Sequence, residues 1–253
     1  MERELLTARL AELDRLADER NILKCSDFLS YAEQDAYHRL ERQGAFRCGV
    51  RFLSGGFGDA ERARAFFLPD YMDRENAEAQ EICAIRAEAL NDKFADALMH
   101  RDFLGALMNL GIERECLGDI LVEGSSCLFF CKPEVSEHIC RNLLRVKHTS
   151  VRCETVSLSE ISWQPRLEEM KVNVASERID AVLAAIWKLS RQKAAQLVES
   201  EQVFVNGMTA ASAGRTLKEG DRVSVRGFGK FIYDGIGGSS RKGRLYVAVR
   251  RFM

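Results

Sequence analysis

The first third of the chain changes from helical to strand periodicity near residue 45. Apolar residues recur at helical spacing from Leu5 to Ala17 and again from Phe28 to Leu40, and Gly44 ends the second stretch. The residues after Gly44 predict a strand at 48–53, a turn at 55–58, a helical turn at 60–65 and a strand at 66–69. We therefore expect a small N-terminal α/β domain over residues 1–80.

Residues 81–165 follow a different rhythm. A helix, or a helix followed by a strand, is expected between Ile85 and Leu98, and Asp102 is the expected N-cap of a helix that ends at Gly111. The elements expected next are strands at 120–122 and 128–131, a helix that begins near Pro133, and a strand at 151–156. With a strand allowed in the first segment, the order is βαββαβ, which favours a ferredoxin-like domain. RNA-recognition folds use the same split unit, and we expect this domain to be an RNA-binding one.

The last third reads as two short helices followed by strands and turns, after a hinge expected at 163–169. Ser176 and Ser190 are the expected N-caps, because a serine hydroxyl can accept from the free N–H groups that begin a helix. Expected turns lie at 206–207 and 219–221, where Asn and Gly tolerate positive φ, and Val203 to Val205 reads as a strand. The Gly-rich segments that follow, at 226–244, are expected to be exposed surface.

Charge is distributed very unevenly along the chain. Residues 170–253 carry 15 Lys and Arg against 7 Asp and Glu, whereas the rest of the chain carries 22 against 31, and the formal net charge is −1. Such asymmetry indicates the kind of partner rather than the fold. A basic C-terminal module beside an acidic body is typical of an RNA-binding protein.

Two of these cations open the second helix of the basic module. Arg191 and Lys193 lie in its first turn, where positive charge opposes the helix macrodipole. The placement makes sense if an anion approaches the exposed N–H groups of that turn. We expect this anion to be an RNA phosphate.

Composition argues against several other classes of protein. No run of about 18 apolar residues occurs, so no membrane span is expected. The eight Cys include no C-x-x-C pair, which argues against a zinc ribbon or a thioredoxin-like site, and Cys127 and Cys131 are expected to pack in a core. We expect a cytoplasmic protein with reduced thiols.

The patterns that could suggest catalysis each have a plainer explanation. Gly56 and Gly58 form a lone G-x-G, which favours a turn. The H-R-L-E run that ends at Glu41 is similar to the H-R-L-D motif of pseudouridine synthases, but a glutamate would misplace the nucleophilic carboxylate. In the His-Arg-Asp run at 100–102, the Asp is explained as an N-cap and Arg101 as a surface cation. We therefore expect no catalytic residue, metal ligand, cofactor or small-molecule substrate.

Residues 176–226 resemble an S4 RNA-binding domain. The matching positions are Arg178, Asp180, Leu183, Leu189, Ser190, Arg191, Ala194, Val198, Val203, Val205, Asn206, Gly207, Leu217, Gly220, Asp221 and Val223. Glu201 departs from the pattern, because the family usually has Gly two residues before the first Val. An acidic group therefore lies near the proposed RNA face.

Motifs along the whole chain are similar to those of the YlmH group of bacterial S4-domain proteins. They are Gly-Gly-Phe-Gly-Asp-Ala-Glu-Arg at 55–62, His-Arg-Asp-Phe-Leu-Gly-Ala-Leu-Met at 100–108, Gly-Asp-Ile-Leu-Val at 118–122, Arg-Gly-Phe-Gly-Lys-Phe at 226–231 and Arg-Lys-Gly-Arg at 241–244. The resemblance implies association with the large ribosomal subunit and the rescue of stalled nascent chains (ribosome-associated quality control), and an older naming implies cell division.

The sequence thus predicts an α+β protein of three parts: an N-terminal α/β domain (1–80), a ferredoxin-like domain (81–165) and a C-terminal S4 domain with a basic extension (170–253). Its expected partners are rRNA, tRNA and the large ribosomal subunit. The expected RNA-binding residues are Arg101, Arg178, Ser190, Arg191, Lys193, Asn206, Arg226, Lys230, Arg241, Lys242 and Arg244. Two alternatives remain open, an RNA-modifying enzyme of the pseudouridine-synthase kind and a cell-division scaffold protein.

Overall fold

Helices and strands are mixed along the whole chain, which confirms the expected α+β class. The computed structural model describes residues 2–252 except 92, 94, 164 and 240–242. The chain forms two compact units, residues 1–162 and residues 163–253, referred to below as unit 1 and unit 2. The expected further boundary near residue 80 stays a prediction.

Unit 1 begins with two helices packed on a small antiparallel sheet. Its first elements are α1 (Glu2–Arg20), β1 (Lys24–Cys25), α2 (Tyr31–Arg42), β2 (Val50–Ser54), β3 (Arg64–Leu68) and α3 (Arg74–Glu81), and the sheet order is β1-β3-β2. The helical stripes expected from the sequence bury Leu10 and Tyr37 against Phe67 of the central strand.

One expectation for this region was wrong, and one helix was missed. No helical turn forms at 60–65: the chain bends at 61–62, where the Asp119 carboxylate accepts from the Glu61 and Arg62 amides at 2.6 and 3.0 Å, and residues 64–65 already belong to β3. Helix α3 was missed, since Ala77 is its one buried residue and it therefore shows no apolar stripe. Its start carries a clear signal, because Asp73 accepts from the Asn76 amide at 2.8 Å.

The second half of unit 1 is a ferredoxin-like sheet. Its elements are β4 (Cys83–Ala89), α4 (His100–Asn109), β5 (Leu117–Glu123), β6 (Ser126–Cys131), α5 (Pro133–Asn142), β7 (Arg145–Val146) and β8 (Thr149–Val156). The antiparallel order β5-β6-β4-β8-β7 contains the four strands of the split βαβ unit, extended by the short β7. Cys127 and Cys131 are buried in its core, as expected.

The start of α4 differs from the prediction. Met99 is the N-cap and Asp102 is the third helical residue, whose carboxylate accepts from the Met99 amide at 2.8 Å. The Asp102 carboxylate therefore accepts from the N-cap amide as an N3 residue, instead of acting as the N-cap itself. Gly111 follows the helix with φ of +79°, as a C′ glycine should.

Unit 2 packs two helices on one face of a six-stranded antiparallel sheet. Its elements are β9 (Leu167–Val174), α6 (Ile179–Ile186), α7 (Arg191–Glu199), β10 (Val203–Val205), β11 (Met208–Thr209), β12 (Arg222–Val225), β13 (Gly229–Ser239) and β14 (Leu245–Phe252). The sheet order is β11-β10-β12-β13-β14-β9. Buried Val247 and Phe231 of the sheet meet Val182 and Leu197 of the helices in a single core.

Three expectations for unit 2 need correction. Residues 167–169, expected in a hinge, belong to β9, and the Gly-rich segment after Gly229 forms the long strand β13. Ser176 is not an N-cap. Residues 177–179 pair with 215–217, with the Ile179 amide 2.8 Å from the Arg215 carbonyl, so α6 begins only after Arg178.

Candidate RNA interface

One buried carboxylate holds two arginines at the starts of both helices of unit 2. Asp180 lies in the first turn of α6, and its residue surface is 4% exposed. Its two oxygens accept from Arg178 Nη2 at 2.9 Å and from Arg191 Nη2 at 2.9 and 3.0 Å. Both guanidinium side chains remain 48% exposed. Two positive charges are thus fixed side by side and face solvent.

The electrostatics keep this carboxylate charged. Burial by itself would raise the pKa of Asp180, but the hydrogen bonds and charges of Arg178 and Arg191 outweigh it and lower the pKa below its usual value. The sequence prediction left Arg191 with no internal anion in the first turn of α7. The structure shows that Asp180 supplies one, and the remaining half of the guanidinium is open to a phosphate oxygen.

The first turn of α7 is capped as the sequence predicts. The Ser190 hydroxyl accepts from the Lys193 amide at 3.1 Å. The Lys193 side chain is exposed on the same turn, so its ammonium reinforces the positive field at this helix start.

A neighbouring turn, between β12 and β13, carries a further exposed cation, Arg226. The Arg226 amide donates to the Gln202 carbonyl at 2.9 Å, which holds this turn beside the segment that follows α7. Two residues later, the Phe228 ring contacts Trp187, the residue after α6, with ring centroids 5.8 Å apart. Phe231 is fully buried, as expected, whereas Phe228 is 38% exposed.

The other expected RNA contacts are spread over unit 2. Asn206 ties its turn to the turn at 219–221, because its side-chain N–H donates to the Asp221 carboxylate at 2.8 Å and its side-chain oxygen accepts from the Arg222 N–H at 2.9 Å. The Lys230 ammonium lies 4.3 Å above the Phe252 ring. Arg244 donates to the Asn173 carbonyl at 3.1 Å. RNA contacts at these positions stay predictions.

Of the remaining expected RNA-binding residues, Arg241 and Lys242 lie outside the described residues. Arg101 belongs to unit 1, on the first turn of α4, and its side chain is 78% exposed.

Glu201 adopts the backbone conformation that explains why glycine is usual at its position. Its φ is +56°, in the left-handed region, where a side chain is strained. The turn before Val203 therefore forms with the family's geometry although the glycine is missing. The acidic side chain is exposed.

One face of the ferredoxin-like sheet is covered by helices, and the other face is covered only in part. Helices α4 and α5 pack on the first face. On the opposite face, Phe130 packs in a buried cluster with Phe28 and Phe66 from the N-terminal half of unit 1, whereas Glu88, Arg152 and Glu154 are exposed. The uncovered part therefore carries charged side chains rather than the aromatic residues on which RNA-recognition motifs stack bases.

In the part of the chain that the structure describes, no group of three or more His, Cys, Asp or Glu side chains could hold a metal ion. None of the described helices is long and apolar enough to cross a membrane.

Sequence reasoning missed the link between the two arginines. The signal in the sequence was Asp180, two residues after Arg178, which matches the S4 pattern. Its role as the shared acceptor becomes visible only when α7 packs beside α6 and brings Arg191 to it. A second missed signal is the alternation of Tyr246, Ala248, Arg250 and Phe252 with buried valines along β14.

Comparisons with known proteins find two families of RNA-binding domain and a relative that is similar over most of the chain. A family model described as a putative RNA-binding domain in YlmH matches residues 81–160, and the S4 domain model matches residues 177–223. The chain is 30% identical over 244 residues to the ribosome-associated protein quality control protein P2 of Bacillus subtilis (strain 168), covering 95% of this chain and 91% of that protein. It is also similar to the solved structure of the cell division protein YlmH from Streptococcus pneumoniae, at 22% identity and a TM-score of 0.49, covering 63% of this chain and 94% of that one.

Proposed function

This chain belongs to the YlmH family of S4-domain proteins, and on that premise we propose that it binds structured rRNA and tRNA on the large ribosomal subunit. We propose further that it acts without chemistry of its own, in the quality control of stalled nascent chains. The name of the Bacillus subtilis relative supports the assignment to this process.

The observation that carries the proposal is the pair of guanidinium groups fixed by Asp180. Side chains that are already ordered lose less conformational entropy when a phosphate binds, so each contact contributes more to affinity. Helical RNA is recognised mainly through its shape, phosphates and 2′-hydroxyls, because its deep groove excludes side chains. The short helices α6 and α7, with cations at their starts, can contact the phosphates and 2′-hydroxyls on the surface of helical RNA.

Charge reversal at exposed positions tests the proposal without breaking the Asp180 cluster. Lys193→Glu combined with Arg226→Glu should strongly reduce cosedimentation with ribosomes, because two phosphate contacts become repulsive. Arg191 is left in place, since Arg191→Glu would set a second carboxylate against Asp180. The matched control is Arg9→Glu with Arg42→Glu, which changes the charge of exposed residues in unit 1 by the same amount.

Circular dichroism and thermal unfolding establish that both double variants fold. We expect the control to cosediment like the wild type. Unchanged cosedimentation of a folded Lys193→Glu, Arg226→Glu variant would overturn the proposal. Loss in both variants would mean that net charge, rather than this surface, governs binding.

A further inference from the structure

The six-stranded sheet of unit 2 has a second face, which points away from α6 and α7. Val247 and Val249 are buried against the helices at 0% and 1% exposure. Because side chains alternate along a strand, the residues between them point the other way. The resulting outer face comprises Leu167, Glu169, Lys171, Asn173, Phe204, Arg222, Ser224, Lys230, Ile232, Tyr246, Ala248, Arg250 and Phe252, of which Phe204 and Ile232 are buried.

Tyr246 presents an accessible ring on the outer face. The residue is 43% exposed. Its direct neighbours across the strands are Gly238 on β13 and Asn173 on β9. Glycine has no side chain, so nothing at the paired position on β13 covers the ring, and Ala248, two residues further along β14, is small. A flat partner can therefore lie against the tyrosine.

The outer face is also positively charged. Lys171 and Arg222 are exposed, and Lys230 lies above the Phe252 ring. Arg250 pairs with the Asp234 carboxylate at 2.8 to 3.2 Å. Glu169 is the other carboxylate that the strand register places on this face. Cations therefore exceed carboxylates here, as they do in the whole of residues 170–253.

We propose that the outer face binds single-stranded RNA, on the side of the sheet opposite the helices that hold structured RNA. A base stacks on Tyr246, and phosphates contact Lys171 and Arg222. Cations around an accessible aromatic ring are the composition of single-strand binding surfaces. Bases in a helical stem are already stacked on each other, so the ring selects unpaired nucleotides. The inference rests on the proposed function and adds a second class of RNA contact to it.

Binding of the full-length protein to a labelled, unstructured oligouridylate, followed by fluorescence anisotropy, tests the inference. Tyr246→Ala should weaken this binding about tenfold, the effect expected for the loss of one stacked base. Tyr246→Trp should restore it, because the indole ring also stacks, and Lys171→Glu should weaken it further. An RNA hairpin serves as the second ligand, and its affinity should stay within about twofold of wild type, since the helices carry the structured RNA. Tyr71→Ala is the matched control, because Tyr71 is 70% exposed on unit 1.

Failure of this inference and failure of the proposed function give different results. Wild-type oligouridylate affinity in Tyr246→Ala overturns the outer-face site, whatever the ribosome data show. An equal loss of hairpin and oligouridylate binding overturns it as well, because the ring would then support the fold. If Tyr246→Ala loses ribosome cosedimentation but keeps oligouridylate affinity, the face binds a protein and the inference is wrong. If Lys193→Glu with Arg226→Glu cosediments normally while Tyr246→Ala loses oligouridylate binding, the outer face stands and the proposed function fails.

Discussion

At the scale of single residues, Asp180 links folding to the candidate interface. It is ionised and hydrogen-bonded to two arginines, so replacing it leaves two neighbouring cations without their shared anion. Asp180→Asn should lower the free energy of unfolding of unit 2 at pH 7 by about 1.5–3 kcal/mol, the range for hydrogen bonds to charged groups. Both tryptophans, Trp163 and Trp187, lie in unit 2, so urea unfolding followed by tryptophan fluorescence measures this unit.

The pH dependence of that difference follows from the direction of the pKa shift. The folded state lowers the pKa of Asp180, so its stabilising effect is complete above the unfolded pKa, near 4, and is lost as the pH falls through the lower folded pKa. The difference in free energy of unfolding between the wild type and Asp180→Asn should therefore decrease on acidification below about pH 4. Asp18→Asn, an exposed change in unit 1, serves as control. A gap that stays constant down to pH 3 would show that ionisation of Asp180 does not stabilise the fold.

Glu201 offers a second test at this scale. Its left-handed backbone costs about 1–2 kcal/mol. Glycine removes that strain but gives the unfolded chain more freedom, which offsets about 0.4–1 kcal/mol. Glu201→Gly should therefore raise the free energy of unfolding by about 0.5 kcal/mol. Glu201→Ala removes the same carboxylate and keeps the strain, so it should give no gain. Equal stabilisation by both changes would assign the effect to charge.

At the scale of elements, strand β9 joins the S4 helices to the long hairpin of β13 and β14. It pairs with β14 over its full length, from Leu167 to Val174, and buries Val172 in the core of unit 2. Without β9, the backbone N–H and C=O groups along one side of β14 would be unpaired, and such an edge promotes aggregation. The S4 core pattern alone, which starts near residue 176, therefore leaves this unit open along one edge.

Two fragments test the role of β9. We expect a fragment of residues 163–253 to be monomeric and to unfold cooperatively on heating. A fragment of residues 175–253 should aggregate or lose its cooperative transition, as judged by size-exclusion chromatography and circular dichroism. If the shorter fragment unfolds as sharply as the longer one, the hairpin does not need its edge covered.

At the scale of the whole molecule, the two units carry opposite charge and should divide affinity from specificity. The basic unit releases counterions from RNA, so a footprint of about five phosphates gives a log–log salt slope of about −3.5 to −4.5. The acidic body repels phosphate at long range, so it can contribute selection of shape but little non-specific affinity. Crosslinking to total cellular RNA should show that residues 163–253 bind more promiscuously than the full chain. A fragment with the full chain's selectivity would give the body another role.

The sequence by itself determined the features that depend on local spacing and on the sum of charges. The helical stripes of α1 and α2, the order βαββαβ, the cap at Ser190 and the basic C-terminal module all follow from periodicity, local hydrogen bonding and residue counts. These depend on residues a few positions apart, so they can be inferred from the chain alone. The S4 and YlmH motifs carried the RNA-binding assignment for the same reason.

The tertiary structure decided what depends on distant residues meeting. Asp119 holds the chain at 61–62 in a bend instead of a helical turn, and the pairing of 177–179 with 215–217 delays α6 to Ile179. Asp180 and Arg191 are 11 positions apart in sequence, and their contact gives Arg191 the anion that it lacks in its own helix. The same contact fixes the Arg191 guanidinium beside that of Arg178. Long-range packing also covers one face of the ferredoxin-like sheet and part of the other, while it leaves Tyr246 accessible on the sheet of unit 2. Periodicity indicates that a side chain lies on one face of a strand, but only the packed neighbours decide whether that face is core or surface.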